Sequence, residues 1–333
     1  MNFWEQLKNL DIFGQIPKVV VIGGGTGLAT FLKGLKHFTA KITAIVTVTD
    51  DGGSSGRIRK DMGILPPGDI RNCLVALAEA EPLMKKLMEY RFKDDGEIEG
   101  HSFGNLFIAA MTDITGNFAS GVKESSRIMS VKGSVLPVSE ESLVLCADLV
   151  DGSSVVGETN VNSCKSRIKK VYLKGSGHRA LPETIEAIRE ADMIVLGPGS
   201  LYTSVITNLL VDGVSDAIRE SDAIKVYVCN IMTEKNETLE YTASEHVKAI
   251  IDHAGEKIID WIIVNNAKIS KEMLDMYYQM EGARQVPVDM EELEKLGLKV
   301  KKANLVLEKE VIRHKSRRLA SEVLSLLNDE STW

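Results

Sequence analysis

Cysteine is scarce, and Cys73, Cys146, Cys164 and Cys229 stand without any C-x-x-C spacing. That distribution speaks against a zinc knuckle and a disulfide framework, so buried reduced thiols are expected. Positive charge is also short: 40 Lys and Arg face 47 Asp and Glu, a net charge of -7. Binding to nucleic acid or a membrane surface through bulk charge is therefore not expected. No apolar run approaches the roughly 18 residues of a membrane span. The opening "MNFWEQLKNLDIFGQIP" lacks the basic start and continuous apolar stretch of a signal peptide, so a cytoplasmic protein without a transmembrane segment is expected. Missing too are the Gly-Lys-Ser/Thr ending of a P-loop, a G-x-S-x-G elbow, an HExxH helix and a cysteine nucleophile with an evident base. Chemistry, if there is any, is transfer at phosphorus.

What is present is enough apolar residue, 44% of 333, to bury the core of one large α/β domain or two smaller ones. In "KVVVIGGGTGLATFLKGL", Val19 to Ile22 form a buried strand and Leu28, Phe31, Leu32 and Leu35 recur at helical spacing. Gly23, Gly24, Gly25, Thr26 and Gly27 thus make a tight strand-to-helix turn. Glycine lets backbone N–H groups approach a phosphate, and the helix N-terminus adds about half a positive charge. "KITAIVTVTDDGG" supplies a second strand, and the glycine-rich "SSGRIRKDMGILPPGD" reads as a loop. Helical patterning over about 69–130 is an insertion after that strand, and alternation over about 134–160, turning at Asp151-Gly152, is a small antiparallel hairpin. Strands "MIVLGPG", "IKVYVCN" and "WIIVNN" then alternate with helices, followed by a strand near "ANLVLE" and a closing helix. The fold class expected is α/β: a doubly wound, mainly parallel Rossmann-like sheet with a helical insertion and a hairpin excursion. Residues 18–327 form a single domain between an N-terminal extension, 1–17, and a tail, 328–333. Phe3, Trp4, Leu7 and Leu10 share one helical face of the extension.

The unusual residues follow the C-terminal ends of the parallel strands, where open α/β sheets bind ligands. A second glycine turn, "GPGSLYTS", offers Gly197, Gly199 and Ser200 with the hydroxyls of Tyr202, Thr203 and Ser204. Two such turns on one edge suit a diphosphate. Asp50 and Asp51 lie where a dinucleotide fold keeps its ribose-binding acid, and they equally suit Mg²⁺ held with ligand phosphates. Arg57 and Arg59 stand in the expected loop, where they could close over phosphate oxygens. Asp69 is expected to cap a helix whose first turn carries Arg71 and Asn72, and His101 and Asn105 are expected on one helix face. Asn230 ends another strand.

Together "IGGGTGL", "TVTDDGGSSGRIR", "PPGDIRN", "GHSFGNL", "GPGSLYTSV" and "YTASEH" resemble the YvcK/GlmR gluconeogenesis factor family, within the group that includes the 2-phospho-L-lactate transferase CofD. The resemblance implies a cytoplasmic protein that binds UDP-N-acetylglucosamine and adjusts carbon flow toward cell-wall precursors, with an effect on cell shape in gluconeogenic growth. It implies no obligatory cofactor, names glucosamine-6-phosphate synthase and a Ser/Thr kinase as partners, and leaves a homo-oligomer open. It also carries Tyr277 and Arg313 into a UDP-sugar site and matches Ser316 to a phosphoacceptor position. Tyrosine can stack on uracil or sugar, and arginine can neutralise diphosphate charge. Leu28, Ala29 and Thr30 depart from the Gly-Ala-Lys typical of the transferase branch. The enzyme alternative is a Mg²⁺-dependent phosphoryl or nucleotidyl transferase; an NAD(P) oxidoreductase is a third reading.

Overall fold

A computed structural model describes residues 16–93, 96–175 and 177–330. The apolar face expected of Phe3, Trp4, Leu7 and Leu10 lies outside them, as do residues 331–333. The chain opens with β1 (Val19–Gly23), α1 (Gly25–Leu35) and β2 (Ile42–Val46). Five helices follow: α2 (Gly53–Met62), α3 (Gly68–Leu77), α4 (Pro82–Glu89), α5 (Phe103–Thr115) and α6 (Phe118–Ile128). Next come β3 (Ser134–Pro137), β4 (Leu145–Leu149), β5 (Ser154–Val156), α7 (Glu158–Ser163), β6 (Ile168–Leu173), α8 (Pro182–Arg189) and β7 (Met193–Leu196). A π-helical segment, Leu201–Ile206, continues briefly as Thr207–Leu209 and leads to α9 (Val214–Glu220), β8 (Ile224–Val228), α10 (Ala243–Ala254) and β9 (Trp261–Asn265). The end comprises α11 (Lys271–Glu281), α12 (Met290–Lys295), β10 (Lys299–Ala303), β11 (Val306–Glu308), β12 (Ile312–His314) and α13 (Ser316–Glu330).

The main sheet has seven strands in the order β10-β9-β8-β7-β1-β2-β3, and every pairing is parallel. β1 is central because its apolar run is buried on both faces, with Val19 paired to Ile42 on one side and Met193 on the other. Strand order reverses between β1 and β7, which creates the crevice where doubly wound folds take ligands.

Two expectations need correction. Residues 134–137 are not part of the hairpin; they form the parallel edge strand β3, where Pro137 is tolerated because an edge needs fewer donors. The antiparallel excursion is instead β5-β4-β6, reaching to Leu173. The second correction is that "GSSGRIRKDM" is not a loop but helix α2. Its Gly and Ser content is poor for a helix, and tertiary contacts supply the difference. Arg59 donates to Leu143 O at 2.6 Å and Ser142 Oγ at 2.9 Å, while Ser54 is buried against His101 and Asn105.

α13 closes over α1 at Gly34, where a Cβ would run into the carbonyl oxygen of Ser316. Gly34→Ala must therefore push two backbones apart. A loss of about 1–3 kcal/mol is expected, read as a lower Tm in thermal denaturation; an unchanged Tm would refute a backbone clash at this crossing.

Candidate functional site

The two glycine turns meet. A Cβ on Gly27 would lie 2.8 Å from Pro198 O and 3.1 Å from Gly199 Cα, so the turns after β1 and β7 touch backbone to backbone. Between them and the C-terminal part of the chain opens a cavity of about 340 Å³, within the usual size of ligand pockets. Gly24, Gly25, Thr26, Gly27, Gly199 and Ser200 form its floor. Asn230, Tyr277 and Arg313 belong to its walls, brought from after β8, from α11 and from β12. The Tyr277 hydroxyl accepts the Ile312 N–H at 2.9 Å, which ties α11 to the strand that carries Arg313. Arg313 is exposed at this wall, and no ion pair to it occurs among the described residues.

Other expected site residues lie elsewhere. Gly23 and Gly197 are buried behind the turns, where Gly23 O accepts the Asn208 amide at 3.0 Å. Tyr202 and Thr203 point away from the cavity: Tyr202 shares a 2.8 Å hydrogen bond with the Tyr241 hydroxyl, and Thr203 Oγ1 donates to Glu237 at 2.7 Å. Glu237 also accepts the Tyr202 N–H at 2.9 Å, so a carboxylate already occupies the start of the π-helical segment. The hydroxyls left for a ligand are those of Ser200 and Ser204, which line the cavity. Sequence reasoning named both, but it could not tell them from Tyr202 and Thr203 because the π-turn changes the angular spacing.

A second polar cluster lies on the β2 side of the first turn. Asp69 is not a cap, since its helix starts at Gly68; its Oδ2 accepts the Gly25 N–H at 2.7 Å. Asp51 Oδ1 accepts Thr159 N at 2.9 Å and Thr159 Oγ1 at 2.6 Å, while Asp50 accepts Gly52 N at 2.9 Å. The buried Arg71 guanidinium donates to Asn105 Oδ1 at 3.1 Å and Asn72 Oδ1 at 2.7 Å. His101 precedes α5, so it does not share that helix's face with Asn105, yet both reach Ser54 Oγ. Arg57 stays on the surface and donates to Glu99 O. Burial pushes Glu158 up to about 8, with Asp50, Asp69 and Asp51 adding to the shift. Glu158 carried no sequence signal, because only the tertiary fold brings α7 to these acids. Among the described residues, no three His, Cys, Asp or Glu side chains gather into a metal cage. A magnesium ion is commonly held by one or two carboxylates plus ligand phosphates, and Asp50 and Asp51 fit that donor chemistry.

Burial also raises the Asp69 carboxyl to about 6, opposed by its bond from Gly25. The folded state therefore binds more protons than the unfolded chain between about pH 4 and 6, and stability falls as pH rises through that window. Asp69→Asn removes this cost. It is expected to raise Tm at pH 8 more than at pH 5; a gain equal at both pH values would refute the assignment.

A parallel sheet with a cavity at its switch point defines a Rossmann-like α/β protein. The chain belongs to the family described as 2-phospho-L-lactate transferase CofD, whose pattern matches residues 19–306, and within it to the gluconeogenesis factors. It is 50% identical over 317 residues to the gluconeogenesis factor of Bacillus subtilis, covering 95% of this chain and all of that one (100%). Identity to the gluconeogenesis factor of Halalkalibacterium halodurans is also 50%, over 92% of this chain and 95% of that protein. A crystal structure of a UPF0052 family member from Bacillus halodurans superposes with a TM-score of 0.90 at 49% identity, over 92% of this chain and 99% of that one. No helix among the described residues is long and apolar enough to cross a membrane.

Proposed function

We propose that the protein binds UDP-N-acetylglucosamine in the cavity between the two glycine turns and regulates carbon flow toward cell-wall precursors. One observation carries this reading: two strand-to-helix turns packed backbone to backbone face a cavity that also holds Tyr277 and the exposed Arg313. The turns and Arg313 suit a diphosphate, and the tyrosine ring suits a sugar or uracil face. The name gluconeogenesis factor, borne by relatives at 50% identity, supports a role in gluconeogenic growth, and an effect on cell shape there is part of the proposal. The protein acts in the cytoplasm, and glucosamine-6-phosphate synthase is the partner proposed to sense the liganded state. Ser316 begins α13 three residues beyond Arg313, and a phosphate placed there by a Ser/Thr kinase would add about two negative charges beside the diphosphate contact and weaken binding.

The test is titration calorimetry with UDP-N-acetylglucosamine, accompanied by thermal shift against GDP and NAD. A ligand that binds only the native state raises Tm, so UDP-N-acetylglucosamine is expected to raise it and NAD is not. Failure of any UDP-sugar to bind would overturn the reading.

The acids around Asp50 favour a second reading, Mg²⁺-dependent phosphoryl or nucleotidyl transfer of the kind the family description names. It requires turnover that Asp51→Asn abolishes.

A further inference from the structure

The cavity is not built for an anion throughout. Its glycine floor offers N–H donors, whereas Glu234 and Glu281 bring carboxyl oxygens to its lining. The diphosphate of a nucleotide sugar carries acceptor oxygens only, so it matches the floor and gives those carboxyls no donor. Glu281 is exposed at the last position of α11. Glu234 is half-buried and held in place, since its own N–H donates to Thr238 Oγ1 at 2.9 Å and fixes the backbone under the side chain. Its Oε1 accepts the Asn230 amide at 3.2 Å, and the Ser200 hydroxyl of the second glycine turn also donates to it. An ionised carboxylate has roughly four acceptor positions and a protonated one somewhat fewer, so in either state these two donors leave Glu234 with room for another. Glu237, three residues on, shows the contrast. It is enclosed, does not line the cavity, and has one oxygen on the Tyr202 N–H and the other on the Thr203 hydroxyl.

We propose that Glu234 accepts a hydrogen bond from a sugar hydroxyl of the bound nucleotide sugar while the diphosphate lies on the glycine floor, which makes Glu234 a specificity-determining residue of the pocket. A hydroxyl supplies the donor that phosphate lacks, so the side chain rewards the hydroxyl-bearing part of the ligand and not its charge. Both the pyranose and the ribose flank the diphosphate, and either can present that hydroxyl. This rests on the reading of the cavity as a nucleotide-sugar site.

Calorimetry on the full chain with UDP-N-acetylglucosamine and UDP, and with pyrophosphate measured by its competition with UDP, tests it. Glu234→Ala is expected to bind UDP-N-acetylglucosamine about tenfold more weakly than wild type, the worth of one hydrogen bond. Its affinity for pyrophosphate, which has no sugar hydroxyl, is expected to be unchanged or stronger. If UDP keeps its affinity, the hydroxyl belongs to the pyranose; if UDP falls with the nucleotide sugar, it belongs to the ribose. Glu234→Gln can still accept from Asn230 and puts a donor in place of the other oxygen, so it is expected to show the same pattern, and it carries the comparison if the alanine variant melts lower. A loss shared equally by all three probes, or by none, overturns the proposal and leaves the nucleotide-sugar reading standing. Wild-type protein that binds none of the three ends both.

Discussion

Gly27→Ala is expected to weaken UDP-N-acetylglucosamine binding by roughly 10- to 100-fold. The methyl group would meet the Pro198 carbonyl oxygen at 2.8 Å and its carbon at 3.0 Å, both backbone atoms that cannot swing aside as a side chain can. Relief requires the two turns to separate, which typically costs about 1–3 kcal/mol of overpacking strain. Separation also moves the N–H groups of Gly27 and Gly199 apart, and a diphosphate that spans both turns then loses one partner set. At about 1.4 kcal/mol per decade of affinity, the strain alone accounts for most of the loss. Calorimetry on protein shown by circular dichroism to be folded checks it. Unchanged affinity would mean that the ligand does not bridge the two turns.

The second large effect is expected at Arg313. The side chain is exposed at the cavity wall and unpaired by acids among the described residues, so Arg313→Ala should leave Tm within about 1 °C of wild type, as for other surface substitutions. Binding should fall by about 10- to 100-fold, the worth of a charge-assisted hydrogen bond to phosphate. Arg313→Lys should recover part of this, because lysine keeps the charge and loses the two-pronged geometry. The wild-type affinity should also drop as salt rises, and the alanine variant should show a shallower drop. Equal salt dependence in both proteins would exclude an ionic role for Arg313.

Tyr277 shows how a local feature acquires meaning from its surroundings. In sequence it is one aromatic residue in an amphipathic helix, and α11 has no fully buried residue to mark its role. In the structure its hydroxyl holds the strand next to Arg313, so the two residues form one wall. The carboxylates show the opposite limit. Asp69 has the pattern of a helix cap, since an acid after Pro-Pro-Gly begins an apolar helical run. The fold instead turns it toward Gly25, 44 positions earlier. Glu234 and Glu237 sit in a stretch with no motif at all, yet the fold sets Glu237 under the π-helical donors and Glu234 at the cavity.

Local patterning alone determined the parallel strands β1, β2, β7, β8 and β9, most of the helices and both glycine turns, because burial on two faces and the strand-to-helix switch leave short-range signatures. It also placed the unusual residues at the C-terminal edge of the sheet. Tertiary structure decided which of them share a cavity, that "GSSGRIRKDM" is a helix, and that Tyr202 and Thr203 serve the core. Those outcomes depend on side chains distant in sequence competing for the same donors and acceptors, and a short window of residues carries no record of that competition.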